Sequence, residues 1–152
     1  MHDYEHQQPG TLLRVTLGVL SLGFGMFTLI WLVSGHGEAA IWGGAIVAVF
    51  VVFLALFHSL TVRVSRDAIN ISFGVGLIRK SFTVDDIETA AIVRNHWYNG
   101  WGIRWIPGGW LYNVSGFDAV ELRHKNGRRY RIGTDQPREL FAAIESEISA
   151  AG

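Results

Sequence analysis

Six side chains in the second half of the chain have the chemistry of a binding surface: Arg79, Lys80, Trp101, Arg104, Trp105 and Trp110. Indoles bring large rigid apolar area with one N–H donor, and a guanidinium brings a fixed fork of donors, the combination used at interface hot spots and at headgroup-level anchors. Four of the six fall within Trp97 to Gly116, WYNGWGIRWIPGGWLYNVSG, which holds four of the chain's six tryptophans, five glycines and a single charge, Arg104. Glycine and proline break regular structure while the indoles need apolar cover, so the stretch must be covered by the domain's own core, by lipid or by another protein. Arg79 and Lys80, adjacent in sequence, would join Arg104 against anionic headgroups in the lipid case.

Catalytic patterns are missing. There is no G-x-S-x-G elbow, no H-E-x-x-H and no glycine-rich loop ending in Lys-Ser or Lys-Thr, and Gly74-Val75-Gly76 lacks the third glycine of a dinucleotide site. Asp85 and Asp86 are neighbours, so on a strand they point to opposite faces and cannot act as a pair. His96 and His124 stand alone, and His2 and His6 read as solvated rather than metal-bound. The chain has no cysteine, which excludes disulfides, thiolate metal sites and cysteine nucleophiles. No enzyme activity, metal or cofactor is expected.

The elements that position these residues follow from charge and hydropathy. Up to Leu60 the only basic residue is Arg14, against Asp3, Glu5 and Glu38; the rest of the chain carries 12 of the 13 basic and 10 of the 13 acidic residues. With no basic excess there is no footprint for nucleic acid. Val15 to Val33 is nineteen residues without a formal charge, and Ala39 to Phe57 is a second apolar run. At 1.5 Å per residue the first spans roughly 28 Å, about one hydrocarbon core. Neither run has a polar face, so both read as transmembrane helices joined by Ser34 to Glu38. Arg14, Arg63 and Arg66 flank the hairpin on one side, placing both termini in the cytoplasm by the positive-inside rule, with Trp31 and Trp42 in the opposite interface. No charge lies mid-span, so the hairpin reads as an anchor rather than a conduit. Gly18, Gly23, Gly25, Gly43 and Gly44 would allow close helix contact.

Residues 1–11 read as a mobile polar tail, 12–58 as the hairpin and 59–152 as a β-rich domain. Alternation predicts strands at Val62–Val64, Ile69–Phe73, Leu77–Val84 and Ile87–Arg94, an antiparallel meander. Around Pro107-Gly108-Gly109 a further hairpin sets Trp101, Ile103 and Trp105 on one arm against Trp110, Tyr112 and Val114 on the other, with Arg104 on the face opposite the indoles. The last hairpin can be registered from pattern alone. A three-residue Lys125-Asn126-Gly127 loop with Gly127 left-handed pairs Val120 with Ile132, Leu122 with Tyr130 and Glu121 with Arg131, and sets Arg123 against Arg129. A helix beginning at Asp135 or Gln136, with Pro137 in its first turn, carries Leu140, Phe141, Ile144 and Ile148 on one stripe. The count is about seven strands plus one C-terminal helix.

Two apolar spans followed by GWGIR (Gly100 to Arg104), PGG (Pro107 to Gly109), YNVSG (Tyr112 to Gly116), DAVEL (Asp118 to Leu122), RIGTDQP (Arg131 to Pro137) and a terminal helix resemble small bacterial membrane proteins with a pleckstrin-homology-like domain. The resemblance covers roughly residues 12–148 and implies a seven-stranded, strongly bent sheet capped by one helix, facing the cytoplasm at the inner membrane. Phosphoinositide-binding members of the wider superfamily gather basic residues around the first β-turn; here only Arg63 and Arg66 are present, followed by Asp67.

The function expected is that of a membrane-tethered binding or scaffolding module for a membrane-associated protein, or for a second copy of itself. A lipid-responsive sensor is the alternative, and a small hydrolase or transport accessory subunit carries little weight.

Overall fold

Both apolar runs form helices in the computed structural model, which describes residues 4–151. Helix α1 is Thr11–Val33 and α2 is Gly37–Phe57, each long and apolar enough to cross a membrane. The rest of the chain does not cover them: no residue of α1 is buried, and only Ala40 and Gly43 of α2 are. The break between them is shorter than the sequence implied, because Gly37 and Glu38 already belong to α2 and Gly35 takes the left-handed conformation that reverses the chain. The two helices meet where Gly43 faces Thr28 and where Phe24 and Phe50 rings approach to 5.7 Å. Of the five glycines expected to permit close contact, only Gly43 does so; Gly18, Gly23, Gly25 and Gly44 face open space.

Among the described residues nine strands form two sheets, in place of the expected seven in one bent sheet. The first sheet has the order β1-β2-β3-β4, from β1 (Tyr4–Pro9), β2 (Ser59–Val64), β3 (Ala68–Phe73) and β4 (Ile78–Thr83). The segment expected to be a mobile tail is thus an edge strand, paired with β2 from Tyr4 opposite Val64 to Pro9 opposite Ser59. His6 is not free in solution but bonds Asp135 at 2.6 Å, and Glu5 pairs with Arg63 at 2.7 Å. The inward positions of β1 are Tyr4, His6 and Gln8, with Gln8 buried and bonded to the Ser115 carbonyl. Alternation is present there, but it is carried by amphipathic and polar side chains, so a hydrophobic pattern does not reveal it. His2 lies outside the described residues.

Pairing of β1 with β2 makes the helical hairpin the connection between two neighbouring strands. Gly10 N–H donates to the His58 carbonyl (2.8 Å) and Arg14 Nε to the same oxygen (3.0 Å), which ties the start of α1 to the end of α2. These donors satisfy a carbonyl at the end of α2 that has no partner within the helix. A fragment beginning near residue 60 would lack β1.

The second sheet holds β5 (Ile87–Arg94), β6 (Gly102–Ile106), β7 (Gly109–Asn113), β8 (Asp118–His124) and β9 (Arg129–Gly133) in the order β5-β8-β9-β7-β6. It is not a pure antiparallel meander, because β7 and β9 run parallel. The β8–β9 register agrees with the pattern-based one at all four expected pairs, and Gly127 has φ +81°. Val84 lies in a 3-10 turn with Asp85 and Asp86, which carries the chain from one sheet to the other.

Inward residues of both sheets build one core, from Leu60, Ile71, Phe73 and Phe82 on one side to Val120, Leu122 and Ile132 on the other. Helix α3 (Pro137–Ala151) closes it, inserting Leu140 and Ile144 completely while Phe141 and Ile148 pack at its margin. Glu121 and Arg131 pair at 2.7 Å on the outer face, where Arg131 also bonds Asn95.

Candidate functional site

The expected aromatic hairpin is present, with β6 and β7 joined through Pro107-Gly108, and Trp105 directly opposite Trp110. Gly108 has φ +87°, as the turn requires. Gly109 is needed for a different reason: a Cβ there would overlap the Arg129 carbonyl, so only glycine lets β7 approach β9 this closely.

Parallel pairing of β7 with β9 extends the tryptophan pair into a row across the sheet. Trp105 faces Trp110, Trp110 lies beside Tyr130, and Tyr130 faces Leu122. Exposure falls along it from 70% for Trp105 to 43% for Trp110, 9% for Tyr130 and 0% for Leu122. The row belongs to the core-facing side of the sheet and runs out past the cover of the first sheet. Trp105 and Trp110 are the uncovered end of the core face. Around them Gly108, Gly109, Arg128 and Tyr130 complete a recess of about 330 Å³. Arg128 and Tyr130 were not singled out from the sequence. Their place beside the tryptophans depends on a pairing between distant segments, which leaves no local signal.

Trp101 and Arg104 do not join this recess. Trp101 precedes β6, and the left-handed Gly100 and Gly102 on either side interrupt the strand alternation that was expected to align it with Trp105. With Gly102, Ile103 and Arg104 it lines a separate groove of about 270 Å³ against Leu13, Leu17, Phe53 and Phe57, at the ends of α1 and α2. Arg104 Nε donates to the Trp101 carbonyl (3.3 Å), and the Trp101 indole nitrogen is buried with no hydrogen-bond partner among the described residues.

Arg79 and Lys80 take opposite faces of β4. Arg79 lies across from Ser72 on the outer face, where with Glu5, Gln7, Thr61, Arg63 and Asn70 it rims an open polar groove of about 730 Å³, and its Nε bonds the Gly76 carbonyl at 2.6 Å. Lys80 lies across from Ile71 on the inner parity, yet it lines the same open polar groove as Arg79. The six candidate residues therefore form no single site: two define the recess, two the helix-end groove, and Arg79 and Lys80 share the polar groove on the first sheet.

Titration behaviour reflects the same packing. His124 sits against Tyr130 (4.9 Å between ring centroids) and Phe82 (6.0 Å). Burial holds its imidazolium below the usual histidine range, with Lys80 and Arg128 acting in the same direction and Asp86 opposing. Tyr4, partly buried and near Glu139 and Asp135, is pushed up to about 12, burial being the main cause. Burial also raises Tyr112.

The architecture defines a broad class: a helical hairpin long and apolar enough to cross a membrane, continuous with a two-sheet β domain closed by a C-terminal helix. Comparison with protein-family models, with curated proteins and with solved structures finds no match in any of the three.

Proposed function

We propose that the chain is an integral membrane protein whose β domain, on the cytoplasmic side of a bacterial inner membrane, binds a membrane-associated protein and performs no catalysis. The observation that carries this reading is the exposed Trp105–Trp110 pair, continuous with the core through Tyr130 and flanked by Arg128. Trp, Tyr and Arg are the residues that dominate binding energy at interfaces, and a rigid strand pair presents them with little ordering cost. Arg128 beside the indoles suits a partner segment in which an apolar side chain is followed by a carboxylate. The order of spans, β domain and final helix supports the resemblance to bacterial pleckstrin-homology-like proteins, although the strand count and the parallel β7–β9 pair depart from it. The charge distribution around the hairpin supports the cytoplasmic orientation.

Trp105 is exposed enough for Trp105→Ala to leave stability within about 0.5 kcal/mol. A pull-down of the intact chain from membranes should recover a stoichiometric partner that Trp105→Ala loses while its unfolding midpoint stays unchanged. Retention of that partner by the variant, or unfolding of the variant, would overturn the proposal. Self-association would appear instead as a wild-type oligomer dissociated by the same substitution. A reporter fused after residue 152 that is active outside the cytoplasm would refute the orientation.

One observation favours a second reading, the lipid-responsive sensor: Trp101 and Arg104 lie against the apolar ends of α1 and α2. In anionic but not neutral bilayers, a salt-sensitive shift of tryptophan emission abolished by Arg104→Ala would move the conclusion there.

A further inference from the structure

The turn between β3 and β4, Gly74 to Leu77, is seated on the last turn of α2. Val75 N–H donates to the Ala55 carbonyl (3.2 Å), an oxygen that, so near the helix end, lacks the usual donor four residues on. Gly74 makes this approach possible: it has φ +48°, and a Cβ there would collide with the Ala55 and Leu56 carbonyls. Gly76, with φ +82°, completes the reversal. A turn held by these contacts lies at the depth of α2 residues, not above the helix end. Its two apolar side chains nevertheless have no protein cover, Val75 being 61% exposed and Leu77 78%. The β2–β3 and β8–β9 turns are polar by contrast, Ser65-Arg66-Asp67 and Lys125-Asn126-Gly127, while the β6–β7 turn is Pro107-Gly108. Arg79 follows two residues after Leu77, its guanidinium folded back on the Gly76 carbonyl at 2.6 Å.

We infer that this turn is a membrane-inserted wedge: Val75 and Leu77 enter the acyl region of the leaflet beside α2, and Arg79 stands at headgroup level above them. The inference rests on the reading that α1 and α2 span a bilayer, and its occupant is lipid. Continuity with α2 supports that choice, because a residue hydrogen-bonded to the last turn of a spanning helix shares that helix's surroundings. Apolar tip and cationic collar match the layering of an interface, in which arginine side chains extend toward phosphates while their neighbours stay in hydrocarbon. The wedge is separate from the Trp105–Trp110 recess and fixes the height of the β domain on the membrane.

The chain contains no cysteine, so single cysteines can be placed without background. Val75→Cys, Leu77→Cys, Val51→Cys on the outer surface of α2 and Asn126→Cys in the β8–β9 turn are each spin-labelled in the intact chain reconstituted in phosphatidylglycerol–phosphatidylcholine vesicles. Collision rates with oxygen and with an aqueous nickel complex are then compared. Expected is an oxygen-to-nickel ratio several-fold higher at 75, 77 and 51 than at 126. A lipid-like ratio at 51 with a water-like ratio at 75 and 77 overturns the wedge while leaving the spanning helices intact. A water-like ratio at 51 overturns the membrane reading itself. Labels at 75 and 77 shielded from both reagents would mean protein cover, and would also overturn the inference.

Discussion

Three glycine-to-alanine substitutions separate conformational need from steric need in the β domain. Gly127 and Gly108 both have φ near the left-handed region, +81° and +87°, and the space around each is open or bordered only by the Arg129 side chain at 3.7 Å. Alanine there costs about 1–2 kcal/mol of backbone strain, offset by roughly 0.4–1 kcal/mol from a stiffer unfolded chain, so about 1 kcal/mol net. Gly109 has ordinary φ, but its Cβ would occupy the position of the Arg129 carbonyl oxygen, which is backbone and cannot swing aside. Relief requires β7 and β9 to part where Gly109 pairs with Arg129 and where Arg129 N–H reaches the Gly108 carbonyl at 2.8 Å. Leaving about two ladder groups unpaired at roughly 1–3 kcal/mol each predicts a loss of about 2–6 kcal/mol for Gly109→Ala. Urea unfolding of the intact chain in detergent, followed by tryptophan emission, should rank Gly109→Ala well below the other two, which should nearly coincide. A midpoint for Gly109→Ala inside the range of Gly127→Ala would refute the parallel β7–β9 contact, and with it the extension of the tryptophan row to Tyr130.

Three further outcomes follow from burial, charge and contact. Ile144→Ala should destabilise by about 2–5 kcal/mol in the same assay and Ile148→Ala by clearly less, since the first is fully buried and the second only marginal. His124 resists protonation in the native state, so the unfolded chain binds the extra proton once pH falls below about 6.5, and stability from this residue is lost as pH drops further. Wild type should therefore lose stability relative to His124→Leu as pH falls from 7.5 to 5, values chosen to bracket about one unit or more either side of 6.5; a pH-independent difference would refute the assignment. Gly43→Ile should weaken the α1–α2 contact at Thr28, seen as earlier unfolding in an SDS titration, whereas Gly18→Ile should not.

What the sequence disclosed depended on whether the determining contact was local. The two long apolar helices, the β8–β9 register and the α3 stripe each express a local pattern, and the structure reproduces them. Strand β1 escaped because its inward residues are Tyr4, His6 and Gln8, whose burial relies on partners more than a hundred positions away, Ser115, Asp135 and Gln136. The parallel β7–β9 pair escaped because the glycine that permits it reads locally as part of a turn. The candidate site shows the same division. The sequence puts Trp105 and Trp110 on facing arms of one hairpin, and the structure adds the register that sets them directly opposite; Trp101 does not share their face because left-handed Gly102 breaks the alternation. Arg128 and Tyr130 joined the recess only once the sheet order was known.

The decisive architectural fact is that α1 and α2 form the connection between β1 and β2 rather than a leash on a separate domain. A leash would let the β domain tilt freely. Here the Pro9–Ser59 pairing, the Gly10 and Arg14 bonds to the His58 carbonyl and the Val75 bond to Ala55 hold both helix ends to the first sheet. Any rotation of the domain against the hairpin must break several of these at once. The recess at Trp105 and Trp110 is built on the second sheet, which shares its core with the first, so its position relative to the helices is fixed by the fold. In the proposed function this rigidity is what presents the recess to a membrane-associated partner at one height and one orientation, and it removes the conformational entropy that a flexibly tethered module would lose on binding.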